Sequence, residues 1–278
     1  MYNTEKKIFI LVFFIILSLF VIMYLNPSKV NDTNDFKVYF FNAGKADAIL
    51  ISKNNRYIMI DTGEESLSNE ILTYFKNNNI TKLDYLIITH FDKDHVGSAS
   101  NIIDNIEIEN VLQSNYPKES TYYNNYLNSL ESKNITPITV NGDFNIDLDG
   151  IEIVVNGPSM VFNNNESNNS SLIVKVTYNN NKFLFMGDAE NDRISDFLEN
   201  NNETFDFLKV PYHGHYLLKL DELLEKINVK YAVITSSNEE MESKKTTELL
   251  DENNINYYLT REGSITILSD GDNITVRQ

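Results

Sequence analysis

The chain has 278 residues, enough for one large domain or two small ones, and its 42% hydrophobic content allows a sizeable core. With 23 Lys and Arg against 40 Asp and Glu its formal net charge is −17, which argues against nonspecific binding to nucleic acid through a basic face. It contains no cysteine, so disulfides, thiolate-rich zinc sites and a lipid-anchored signal are excluded, and any metal must be held by His, carboxylate and water.

Residues 8–25 are a continuous apolar run apart from Ser18, preceded by Lys6 and Lys7 and followed by Asn26-Pro27-Ser28. As a helix this run spans about 27 Å, enough for a hydrocarbon core. The lysines place the N-terminus in the cytoplasm and the rest of the chain outside. A cleaved signal peptide is the rival reading, but no small-x-small cleavage site follows the run. A buried core helix would be expected to show a polar face, and none is present. The expectation is a single-pass protein of the cell membrane, with a cytoplasmic stub and signal anchor at 1–25, a polar linker at 26–36 and an extracellular domain at 37–278.

Beyond residue 37, short apolar strands alternate with amphipathic helices. Strands are predicted at 38–41, 48–51 and 57–60, the last ending at Asp61-Thr62-Gly63, then a helix over 66–77 and a strand over 84–89. A strand at 108–113 and a helix at 121–132 follow. The second half gives strands at 151–155, 172–177 and 183–186, the last two forming a hairpin around Asn179-Asn180-Asn181. Then come a helix at 194–198, a strand at 207–210, a helix at 217–227, a strand at 231–235, a helix at 246–253 and two closing strands at 257–260 and 264–268. Strands and helices in both halves predict an α/β protein with two sheets face to face and helices outside.

The strand at 84–89 delivers the most informative turn, Thr89-His90-Phe91-Asp92-Lys93-Asp94-His95-Val96-Gly97-Ser98. His90, Asp92, Asp94 and His95 put four ligand-type side chains into six positions, and Val96-Gly97-Ser98 reads as the opening of a helix. A solvated turn rich in His and Asp is the plain alternative. Packing four such groups at the end of a buried strand without a cation costs desolvation and carboxylate repulsion, and a pair of divalent ions removes that cost. The other two of the four histidines are His213 and His215.

This pattern resembles the metallo-β-lactamase-fold hydrolases, and more narrowly the extracellular hydrolase domain of competence-type DNA-uptake membrane proteins. That branch has Asp at the second ligand position, as Asp92 is here. Phe40-Phe41-Asn42-Ala43-Gly44-Lys45-Ala46-Asp47-Ala48-Ile49-Leu50 is similar to its first-strand motif, and Asp61-Thr62-Gly63 to the family's first turn. Asn168-Asn169-Ser170-Ser171-Leu172 is similar to an Asn-x-x-Ser segment that stands where other branches have a third histidine. Phe185-Met186-Gly187-Asp188 resembles a Thr-Gly-Asp turn, and Leu208-Lys209-Val210-Pro211-Tyr212-His213-Gly214-His215 a Lys-Val-x-His-His-Gly-Ser segment. Tyr212 stands in place of the first His of that segment and His215 in place of its Ser. A later His-Pro segment is absent.

The resemblance implies a four-layer αββα sandwich and a binuclear centre: one ion on His90, Asp92 and Asp188, the other on Asp94, His95, His213 and Asp188, with a bridging hydroxide as nucleophile. Zinc is the default and manganese or iron the alternatives, because the first position is oxygen-rich. Asp188 alone would read as a helix cap, and His213 alone as a loop histidine. Asp94, His213, Tyr212 and His215 are the candidate catalytic residues. Asp47 and Asp61 are expected to brace the ligand loops, and Lys209 to be either an electrostatic aid or strand-edge solvation. The expected function is a membrane-anchored, metal-dependent phosphodiester hydrolase. The alternatives are an ester, lactone or thioester hydrolase on the same fold, or a non-catalytic metal-binding surface module. The expected partners are the membrane and a small-molecule or phosphodiester substrate, with nucleic acid disfavoured by net charge and no protein partner predicted.

Overall fold

The computed structural model describes residues 36–160, 162 and 166–278. The expected span at 8–25, and the linker up to residue 35, lie outside them. Phe36, read from sequence as the last linker residue, instead opens the first strand. Among the described residues no helix is long and apolar enough to cross a membrane.

The strands are laid down by side chains that alternate between two cores. In β1 (Phe36–Phe40) and β2 (Ala48–Lys53), Val38, Phe40, Ile49 and Ile51 point into one cluster while Tyr39, Ala48 and Leu50 point into another. The same period of two runs through β3 (Arg56–Thr62) and β4 (Lys82–Ile88). With β5 (Glu107–Gln113) and β6 (Ile138–Thr139) these strands form the first sheet. Its outer face is covered by α1 (Ser68–Asn77), α3 (Ala99–Asn105) and α4 (Thr121–Ser132), which contribute Ile71, Phe75, Ile102, Ile103, Tyr126 and Leu130. The short α2 (Lys93–Val96) lies between β4 and α3.

The second half repeats the scheme. β7 (Asp143–Leu148), β8 (Ile151–Asn156), β9 (Ile173–Tyr178), β10 (Asn181–Phe185), β11 (Phe207–Lys209), β12 (Tyr231–Ile234) and β13 (Asn256–Leu259) make the second sheet. Phe183, Phe185 and Phe207 face inward against Phe36 and Phe40, and Leu184 and Leu208 face outward. The short α5 (Glu166–Asn169) precedes β9. The outward face is covered by α6 (Asn191–Asn200), α7 (Leu220–Ile227) and α8 (Lys244–Glu252). β14 (Ile265–Ser269) and β15 (Ile274–Arg277) return to the first sheet, whose order is β15-β14-β1-β2-β3-β4-β5-β6; the second runs β13-β12-β11-β10-β9-β8-β7. Helix, sheet, sheet and helix thus stack in layers around three apolar clusters.

Several local expectations are corrected. The helix after the His-rich turn opens at Lys93, not at Val96, because the Asp92 carbonyl already accepts from the amides of His95 and Val96, each at 2.9 Å. The hairpin turn holds Asn179 and Asn180, while Asn181 is already in β10. Among the described residues three further strands, β6, β7 and β15, were not expected. β6 has two exposed residues, and β15 alternates only partly buried side chains, so neither carries a clear apolar pattern.

β3 to β6 pair in parallel, as do β10 to β13. In such sheets ligands bind outside the carboxyl ends of the strands, and there the chain puts Asp61, the 89–95 turn, Asp188, the 211–214 turn and Thr235.

Candidate metal centre

Four side chains from three separate segments converge. One ligand-type atom from each of Asp94, His95, Asp188 and His213 lies within 4.8 Å of the others. His95 Nε2 is 3.3 Å from Asp188 Oδ1 and 3.4 Å from His213 Nε2, and His213 Nε2 is 3.1 Å from Asp188 Oδ2 and 3.6 Å from Asp94 Oδ2. His90 is beside them, its ring centroid 4.1 Å from that of His95.

Each imidazole is aimed from behind. Asp61, at the end of β3 with φ 53°, accepts from the Thr89 amide (2.7 Å), the Thr89 hydroxyl (2.6 Å) and His95 Nδ1 (2.8 Å). His213 Nδ1 lies 3.1 Å from the Thr235 carbonyl and 3.0 Å from its hydroxyl. His90 Nδ1 rests near the hydroxyls of Thr89 (3.2 Å) and Ser171 (3.4 Å). In every case Nδ1 is engaged and Nε2 is turned inward, the arrangement that second partners impose on metal-binding histidines.

Asp47 ties the loops together. Its Oδ1 accepts from the Thr235 hydroxyl at 2.7 Å and its Oδ2 from Lys209 Nζ at 2.5 Å. Lys209 is fully buried, donates to the Gly187 carbonyl at 2.9 Å and lies 3.8 Å from Asp188. It therefore does not solvate a strand edge, because β11 is an interior strand of its sheet. Arg193, also fully buried, donates to the Ser171 carbonyl, to Asp196 and to Asn156. The Ser171 hydroxyl in turn accepts from the Asp188 amide at 3.2 Å. Asp188 is not a helix cap; the N-cap of α6 is Glu190.

The electrostatics follow from burial and pairing. Burial and the neighbouring His95 push His90 down to about 3, so its ring is neutral. Burial disfavours charge on His95, but the Asp188 and Asp61 carboxylates outweigh it and hold the pKa well above the ordinary range. His213 is raised against burial by Asp188 and Asp94. Burial disfavours charged Asp188 too, yet His213 and His95 hold it well below the usual carboxylate range.

The donor set fits divalent cations. His90 Nε2 and Asp188 Oδ1 are buried without a hydrogen-bond partner among the described residues. Buried polar atoms are rarely left so, and imidazole with carboxylate is a mixed set suited to zinc, manganese or iron. Asp92 is placed differently: its Oδ1 is 3.8 Å from His90 Nε2, accepts from Lys118 at 2.5 Å and accepts from the Ser167 hydroxyl. Asn168 faces Glu190, to which its amide donates at 2.8 Å.

A cavity of about 470 Å³ opens over this cluster, lined by Asp92, Asp94, Asp188, Asn168 and Tyr212 together with Lys45, Lys93, Lys118, Phe91 and Tyr122. Tyr212 and His213 both have φ 51°, which rolls the chain over so that Tyr212 lines the cavity while His213 turns into the cluster. His215 packs against the Tyr212 ring with centroids 4.8 Å apart. Thr235, Lys118 and Ser167 carry no motif signal and were not anticipated. Lys45 was quoted only as part of the first-strand motif.

Comparison with known proteins agrees with this geometry. The family model described as the Metallo-beta-lactamase superfamily matches residues 42–236. Recombination protein 2 of Haemophilus influenzae is 29% identical over 209 residues, which is 72% of this chain but only 24% of that protein, so the chain spans about a quarter of the relative's length. Among solved structures, the metallo-beta-lactamase fold protein YhfI of Bacillus subtilis superposes with a TM-score of 0.57 at 9% identity, covering 88% of this chain and all of that one. CmlA of Streptomyces venezuelae, a diiron β-hydroxylase, gives 0.53 at 13% identity over 81% of this chain and 53% of its own. With a family match over most of its length, the chain belongs to the metallo-beta-lactamase superfamily.

Proposed function

We propose that the chain hydrolyses phosphodiester bonds, with residues 8–25 as a membrane anchor and residues 37–278 as the catalytic domain on the outer side. The observation that carries this reading is the placing of Lys45, Lys93 and Lys118 around the cavity above Asp94 and Asp188 in a chain whose net charge is −17. Asp92, Asp94 and Asp188 line the same cavity and offset these lysines; with divalent cations on the carboxylates the balance turns positive, which favours an anionic group there. The likeness to a relative named Recombination protein 2 supports a nucleic-acid phosphodiester within that class.

In this reading Asp94, His95, Asp188 and His213 would hold one divalent cation, and His90 with Asp92 and Asp188 would hold a second. Bound cations lower the pKa of water and polarise the scissile oxygen. The chain's own groups do the rest. Asp61 and Thr235 keep His95 and His213 oriented through Nδ1. Burial, with Glu190 and Asp188 nearby, raises the Tyr212 phenol, which keeps it protonated and able to donate to a phosphoryl or leaving oxygen. Lys45 is raised, against burial, by Asp94 and Glu240 and so stays charged beside the substrate. His215 lies against the Tyr212 ring and in this reading positions that phenol.

The strongly negative overall charge gives a second reading some weight: a neutral carboxylic ester, lactone or thioester meets no long-range repulsion. The full chain, stripped of metal and supplied with Mn²⁺ or Zn²⁺, is expected to cleave bis-p-nitrophenyl phosphate faster than a lactone or thioester panel, and Asp94→Ala to lose at least about a hundredfold in rate. Faster turnover of the lactones would replace the phosphodiester assignment, and full activity in Asp94→Ala would remove the metal mechanism.

A further inference from the structure

Each carboxylate proposed as a ligand has a lysine beside it, but the three pairs differ. Lys45 Nζ is 3.6 Å from Asp94 Oδ2, Lys209 Nζ is 3.8 Å from Asp188 Oδ1, and Lys118 Nζ is 2.5 Å from Asp92 Oδ1. Only the last is a full charge-assisted hydrogen bond. The oxygen it takes matters most. Asp92 Oδ1 is the atom 3.8 Å from the bare His90 Nε2, so the carboxylate that would share a cation with His90 already has a cation on the oxygen facing that ring. The Ser167 hydroxyl donates to the same Oδ1. Asn168, which also lines the cavity, donates its side-chain amide to Glu190. The opposite side offers four convergent groups with no ammonium in such contact.

We propose that the Lys118 ammonium serves as a built-in cation for Asp92, so that the centre takes up divalent ions unequally. The first ion binds at Asp94, His95, Asp188 and His213. The second binds beside His90 only by drawing Asp92 away from Lys118. This rests on the metal reading above and adds an order of filling to it. Lys118 lines the substrate cavity, so its release on binding of the second ion also frees a positive group facing the substrate. Full activity is thereby tied to cation supply.

Calorimetric titration of the metal-stripped full chain with Mn²⁺ alone tests this. The wild-type chain should show two steps, the second at least about tenfold weaker, the scale of one charge-assisted hydrogen bond. Lys118→Met keeps the stem and removes the charge; it should strengthen the second step by about tenfold and leave the first unchanged. Lys118→Arg should keep the wild-type pattern, and adding Asp92→Asn to Lys118→Met should abolish the gain. Two equal steps in the wild-type chain, or an unchanged second step in Lys118→Met, would overturn the proposal and leave the metal reading intact. Absence of any Mn²⁺ binding would overturn both.

Discussion

His213 shows how a ligand-type side chain is made from its surroundings. The Thr235 carbonyl accepts a hydrogen bond from His213 Nδ1, and the Thr235 hydroxyl is itself committed to Asp47, which is held by Lys209. Asp61 does the same for His95 while binding the Thr89 amide and hydroxyl. Partners of this kind are worth about 10–100-fold in metal affinity. Asp61→Asn is expected to weaken Mn²⁺ binding by that factor, and Thr235→Val, which keeps the carbonyl and loses only the hydroxyl between His213 and Asp47, by less than Asp61→Asn, both read by titration against a chelating dye with the circular dichroism spectrum unchanged. The legible part of the site was the part written locally. His90, Asp92, Asp94 and His95 fall within one turn of sequence, whereas Thr235 becomes a partner of His213 only once β11 and β12 lie side by side. Lys209 looked ambiguous because a lysine between apolar neighbours reads equally as an edge residue. The deciding fact, that its strand is interior and parallel and so buried on both faces, belongs to the sheet order.

The 211–214 turn carries the strain of the site. Tyr212, His213 and Gly214 have φ of 51°, 51° and 75° in succession. The first two are not glycine, so their left-handed backbone costs roughly 1–2 kcal/mol each. The turn is held by bonds from the Tyr212 amide to the Gly187 carbonyl and from the Ser243 amide to the Gly214 carbonyl. A Cβ on Gly214 would come within 2.7 Å of Ile234. Gly214→Ala is therefore expected to cost at least about 2 kcal/mol, one left-handed residue plus a core overlap, and to weaken metal binding by displacing His213. Urea unfolding with and without Mn²⁺ reads both effects; a variant as stable as the wild type would refute the packing argument. Element by element, the sequence reading was good where period and length agreed. The helix at 121–132 and the strands at β2, β3, β5 and β8 stand within two residues of expectation. It missed β6 and β15, whose side chains are mostly exposed or half-buried, and β7, where Phe144 is only partly buried and alternation begins late.

Two sheets meet so that Asp61, the His-rich turn, Asp188 and His213 share one end of the molecule, and this couples charge there to stability. Without a cation His95 and His213 have raised pKa values, burial being outweighed by Asp188 together with Asp61 for His95 and with Asp94 for His213. The stabilisation from these pairs is complete below the ordinary histidine value of about 6.5 and is lost as pH rises through the raised folded values. Asp188 has the opposite sign: its contribution is present above the ordinary carboxylate range and is lost as acid protonates it. The metal-stripped chain is therefore expected to melt at falling temperature as pH rises above about 6.5. Loading with Mn²⁺ should flatten that decline and release protons, since both rings must be neutral to bind. Melting curves across pH, with and without chelator, and a dilute indicator dye measure these effects.

The convergence of Asp94, His95, Asp188 and His213 on a cation is tested most directly by counting ions. Full-length chain would be loaded with Mn²⁺, passed through a desalting column and assayed for metal by mass spectrometry, beside Asp188→Ala and His213→Ala. The wild-type chain should retain about one ion or more per molecule, and both variants should retain almost none while keeping their secondary structure. A wild-type chain that comes through empty, or variants that carry as much metal as the wild type, would contradict the centre described here.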